Sequence, residues 1–121
     1  MPEDLDSRYR RLLAKQLTMN AATWAALQSH GVTPTSELRL DFSYVAPDQV
    51  SAEALKRVLD EQTDYSVEVQ SEGSLFRKQW SVIGSTQPTA VSPAILDQWV
   101  DWMVTAGVHQ GCEFDGWGAE V

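Results

Sequence analysis

One cysteine and 9 basic residues are all that this chain of 121 residues offers for disulfide bonding and for binding anions. With Cys112 alone no internal disulfide can form, which fits a reducing compartment. The basic residues stand against 17 Asp and Glu, a formal net charge of −8. Nucleic-acid backbones are held by cations that neutralise phosphates, so direct nucleic-acid binding is not expected. The one local basic cluster, Arg8, Arg10, Arg11 and Lys15, falls within a predicted helix and reads as a solvated face. Acidic charge suits a basic protein partner, and equally plain solubility. No apolar run is long enough to cross a bilayer. The opening residues, Met1-Pro2-Glu3-Asp4-Leu5-Asp6, lack the basic and apolar regions of a secretion signal. A cytoplasmic protein without a membrane partner is therefore expected.

Catalytic patterns are missing too. The chain has no glycine-rich phosphate loop, no G-x-S-x-G elbow and no H-E-x-x-H helix. His109 and Cys112 have H-x-x-C spacing, but without a second ligand pair no metal is expected. Cys112 shares the inward parity of Phe114 and reads as a small buried hydrophobe. His30, just before the helix-stopping Gly31, is explained by the dipole at a helix end. Glu113 and Asp115 share a strand face with no basic residue near them in sequence, so solvated carboxylates are expected rather than an acid–base pair. No catalytic residue and no cofactor is expected.

What is present is a core. Apolar residues make up 43% of the chain and include five Trp, enough to pack one domain of this length without staples. Leu5, Tyr9, Leu12, Leu13 and Leu17 mark one face of a helix over residues 3–17. Asn20 then caps a second helix over 21–29, carrying Trp24 and Leu27, unless the two are continuous. Residues 38–45 alternate as a strand with Leu38, Leu40, Phe42 and Tyr44 inward. Ser51 is placed to cap a helix over 52–62 that buries Ala54, Leu55, Val58 and Leu59. Residues 65–70 alternate again, 71–74 carry turn residues, and 75–78 complete the hairpin connection. A third strand over 79–86 points Trp80 and Val82 inward, with Ile83 as an outward exception. Ser92-Pro93 opens a helix that runs to about residue 106, with Ile95, Leu96, Trp99, Val100 and Met103 apolar and Gly107 as its stop. The last strand begins near Gly111 or Cys112.

This order predicts an α+β fold, a ferredoxin-like β-α-β-β-α-β two-layer sandwich with an N-terminal helical extension. Residues 1–121 form a single domain, with 1–31 as the extension and 38–121 as the core. The first strand lies between the third and the last, and both core helices cover one face. The other face is open, to be covered by the N-terminal helices or by a second subunit in a homo-oligomer.

Trp117 stands apart from the other tryptophans. Alternation counted from Phe114 places it outward with Glu113 and Asp115. Gly116 and Gly118 flank it, as at a bulge or a close backbone approach. Asp-Gly tolerates positive φ, so a bend there reverses the parity and turns Trp117 into the core. Outward, it is an aromatic anchor for a partner. The orientation is open at this point.

The ending Glu113-Phe114-Asp115-Gly116-Trp117-Gly118 resembles the E-[YF]-D-G-W-G terminal strand of the RraB family, the regulators of ribonuclease E activity B. The resemblance extends over approximately residues 20–121, through the β-α-β-β-α-β order. It implies a small acidic protein of ferredoxin-like fold that binds ribonuclease E and inhibits its RNA cleavage without catalysis of its own. A protein-binding surface of Glu113, Asp115 and Trp117, shaped by Gly116 and Gly118, is the candidate site. The alternative is a small-ligand-binding or sensory domain that acts as a homo-oligomer, on fold analogy.

Overall fold

The computed structural model describes residues 3–33, 35–74 and 77–119. Helix α1 spans Leu5–Ser29 without a break. No glycine or proline interrupts that stretch, and Leu12, Gln16, Asn20, Trp24 and Leu27 keep one buried face in phase along it. Asp4 caps the helix, its carboxylate accepting from Ser7 N–H at 2.7 Å. Asn20, read above as a possible cap, sits mid-helix and is only 4% exposed. One helix therefore replaces the two considered. At its end His30 Nδ1 lies 2.9 Å from the Ala26 carbonyl, and Gly31 adopts φ 91°.

The short strand β1, Glu37–Leu38, precedes β2, Leu40–Ala46. In β2, Leu40, Phe42, Tyr44 and Ala46 are buried while Asp41 is exposed, the alternation of a sheet with one covered face. Helix α2 follows over Gln49–Gln62. Its cap is Asp48, whose Oδ1 accepts from Ser51 N–H at 2.7 Å, so the expected cap Ser51 lies inside the first turn. Strand β3, Ser66–Ser74, absorbs the residues read as a turn, and β4 spans Arg77–Ser85. The hairpin connection expected at 75–78 falls partly on residues 75 and 76, outside the described residues. Strand β5, Thr89–Ala90, pairs antiparallel with β1. Helix α3 runs over Pro93–His109, capped by Ser92 Oγ, which accepts from Ile95 N–H at 3.2 Å. Strand β6, Glu113–Ala119, completes the described chain.

Gly107 does not stop α3. It lies within the helix because the Tyr44 ring packs against it: a Cβ at that position would sit 2.7 Å from Tyr44 Cε2. The Tyr44 hydroxyl donates to the Met103 carbonyl at 2.7 Å, one turn earlier. Gly111, at φ 77°, makes the turn into β6.

The larger sheet has the order β3-β4-β2-β6 and every pairing is antiparallel. With the three helices this is an α+β protein. Strand β2 lies between β4 and β6. Ala52, Leu55 and Leu59 of α2 and Val100, Met103 and Val104 of α3 join Phe42, Tyr44, Val82 and Phe114 in the main core. Helix α1 packs on α3 and along β6, extending the helical layer rather than covering the other face of the sheet. Its second half builds a second core, in which Trp24 and Leu27 meet Leu38, Leu40, Val91 and Leu96. Trp99 and Trp117 are packed against both cores. Among the described residues no helix is long and apolar enough to cross a membrane.

Candidate protein-binding site

The geometry of β6 is set by one extra residue. Tyr44 pairs with Phe114 and Ser43 with Gly116, so the register slips between them and Asp115 is the inserted residue of a β-bulge. Gly116 takes φ 141° there, a conformation that a side chain resists, and this is the requirement for glycine in the Asp-Gly pair. Beyond the bulge the parity is reversed. Trp117 pairs with the buried Phe42 and shares its face, so the outward placement counted by simple alternation is overturned. Gly118 has no comparable role, since a Cβ there would meet nothing within 4 Å.

Inward, Trp117 is held on two sides. Its ring meets Trp99 edge-on at 6.1 Å between centroids, in a run of rings that continues from Trp99 to Phe114 and Tyr44. Its indole N–H donates to Asn20 Oδ1 at 2.8 Å, and Asn20 Nδ2 donates to Asp97 Oδ1 at 3.0 Å. One amide thus joins β6, α1 and α3. One turn earlier on α1, the buried Gln16 donates to the Phe114 carbonyl at 3.4 Å. Gln16 and Asp97 were not read from the sequence, and Asn20 was read there only as a helix cap. The signal available was polar Gln16 and Asn20 sitting in phase with apolar Leu12 and Trp24 on one helix face.

Outward, the carboxylates separate. Asp115 is exposed at the bulge, and Glu113 is partly buried. Glu113 has a basic partner, one distant in sequence: Arg11 of α1 approaches its Oε1 at 3.4 Å while binding Glu3 at 2.9 Å. That guanidinium holds the Glu3 carboxyl below the usual range, chiefly through the hydrogen bond. A pair this exposed contributes little to stability. Among the described residues Glu113 is turned to Arg11, while Asp115 is exposed on the bulge.

The remaining reactive groups lie elsewhere. Cys112 is buried with its Sγ 3.6 Å from the Ser51 carbonyl, and burial, then the charge of Asp48, push its thiol up to about 11. His109 is exposed at the end of α3. Among the described residues no group of three or more His, Cys, Asp or Glu is arranged to hold a metal ion. A cavity of about 250 Å³ opens between Leu40, Tyr65, Val91, Leu96 and Trp99, and Asp64 is the one charged residue among its described lining.

The family described as Regulator of ribonuclease activity B matches residues 17–119, which take in the second half of α1, both other helices and all of β6. No curated protein matches the chain.

Proposed function

The chain belongs to the Regulator of ribonuclease activity B family, and from that premise we propose that it is a non-catalytic cytoplasmic regulator that works by binding a protein. The partner proposed is an RNA-degrading endoribonuclease of the ribonuclease E type, which the bound chain inhibits. The observation that carries this reading is the family match over residues 17–119, which includes Asn20, Asp97 and the whole of β6.

The acidic balance supports it, since a charge of −8 favours encounter with a basic protein surface. The contact surface proposed is the outer side of β6, with Asp115 and Glu113 as the recognition carboxylates and Trp117 as the anchor that holds their strand in place. Strand order and the seating of α2 and α3 on one face support reading the core as a ferredoxin-like sandwich within a single domain, with α1 as a helical extension packed onto it.

Cleavage of a fluorogenic RNA by a purified ribonuclease E-type enzyme tests the reading. Adding the chain is expected to slow cleavage in proportion to binding, and Asp115→Lys is expected to weaken that binding about tenfold while the melting curve stays unchanged. Absence of binding at micromolar concentrations of both proteins would overturn the enzyme as target. Wild-type binding by Asp115→Lys and Glu113→Lys alike would overturn the surface.

A further inference from the structure

The two edges of the larger sheet are treated differently. On the β6 side α1 runs alongside and the bulge at Asp115 breaks the ladder. On the β3 side, among the described residues, nothing pairs with the strand. Strand β3 is nine residues long and keeps regular register with β4 from Ser66↔Ser85 to Ser74↔Arg77. Its sequence, Ser66-Val67-Glu68-Val69-Gln70-Ser71-Glu72-Gly73-Ser74, contains no lysine, no proline and no bulge, the devices that usually blunt a free edge. It presents roughly 30 Å of backbone whose alternate N–H and C=O groups point away from β4.

The side chains on that edge are sorted. Val67 and Val69, half-buried, lie on the face that carries Val82, the cross-strand partner of Val69. Glu68 and Glu72, exposed, lie on the other face, opposite Ile83 and Gln79. A second copy of the chain is a poor occupant. Antiparallel pairing of β3 with itself in the register that uses all nine residues centres on Gln70 and sets Glu68 against Glu72 twice. Like charges directly opposite destabilise a strand pair.

We propose that the β3 edge accepts an extended basic segment of a protein partner as a fifth strand, with lysine or arginine beside Glu68 and Glu72 and apolar side chains beside Val67 and Val69. Main-chain hydrogen bonds hold the segment, and the alternation of base and apolar residue selects it. The inference deepens the protein-binding reading above and rests on it for its biological role. Its surface lies on the opposite side of the sheet from Asp115.

The test uses the full chain and labelled nine-residue peptides, followed by fluorescence anisotropy and amide hydrogen exchange. A peptide alternating lysine with valine is expected to bind and to slow exchange across residues 66–74. The same peptide with two valines replaced by proline keeps the charge and loses the pairing, so it is expected to bind at least tenfold more weakly. Glu68→Lys combined with Glu72→Lys is expected to abolish binding of the basic peptide and to confer binding of a glutamate–valine counterpart. Equal binding of the proline peptide, or an unchanged affinity in the double variant, overturns the proposal. Protection of 66–74 in a peptide-free dimer assigns the edge to a second copy and overturns it as well. Loss of enzyme binding in Asp115→Lys together with no peptide binding at β3 removes the fifth strand and leaves the regulator reading standing.

Discussion

Asn20 is 4% exposed and spends its side chain between two partners, the Trp117 indole and the Asp97 carboxylate. Replacing Trp117 by Phe keeps a ring against Trp99 but leaves Asn20 Oδ1 buried without its donor, which costs about 1–3 kcal/mol. Urea unfolding of Trp117→Phe, Asn20→Leu and the double variant is expected to show coupling of about 1 kcal/mol, whereas independent effects would mean that the bond is idle. Cys112 makes the opposite point. Its raised thiol pKa and complete burial leave little thiolate and no access, so a thiol reagent is expected to label it only as the protein unfolds. Labelling much faster than unfolding would contradict that. The inward direction of Cys112 and Phe114 was legible from alternation. The direction of Trp117 was not, because parity carries across a strand only while the ladder is regular. The Asp-Gly pair announced that a break was possible without saying that it occurs.

At the level of elements, the sequence signals that survived are those with local causes. Ser92-Pro93 opens α3 as read, because cap and proline geometry need no tertiary partner. The helix at 52–62 was found but its first turn was not, since Ser51 was read as the cap and only the structure shows that the Asp48 side chain accepts instead. Gly107 misled for a tertiary reason, its missing Cβ making room for Tyr44 rather than ending a helix. Capping by Asp48 also carries a pH dependence. The Ser51 N–H bonds hold its pKa below the usual 3.8, so the charged cap stabilises the folded state fully above that value. The contribution fades as pH falls through the lower folded-state pKa. Asp48→Ala is therefore expected to lower the urea midpoint at pH 7 and to differ less from the parent near pH 2. A gap that stays constant across that range would refute the charged cap.

For the whole molecule, four of the 17 acidic residues stand on the sheet face that no helix covers. Asp41, Glu68, Glu72 and Glu113 lie on it by strand parity, and Arg77 is the one strand cation there among the described residues. Charge of this kind acts at a distance and is screened by salt within about 8 Å at physiological ionic strength. Association with a basic partner is expected to slow several-fold between ~50 and ~300 mM salt while dissociation changes less, which stopped-flow mixing resolves. A salt-independent association rate would take the acidic face out of recognition. Net charge was readable from composition; its placement required the sheet order, and the contact of Arg11 with Glu113 joins residues at opposite ends of the chain.

The bulge has a consequence for how the strand tolerates change. Because Ser43 already faces Gly116 and Tyr44 faces Phe114, the ladder has no need of Asp115. It is a supernumerary residue, spliced in where the sheet closes without it. Excising Asp115 leaves Phe114, Gly116 and Trp117 opposite the same partners, and the near-ultraviolet dichroism of the packed Trp117 is expected to persist. A collapse of that signal would show the insertion to be structural. Persistence would mark Asp115 as a position free to drift or to be selected without the fold's consent, the kind of place where recognition can be rewritten by a single codon.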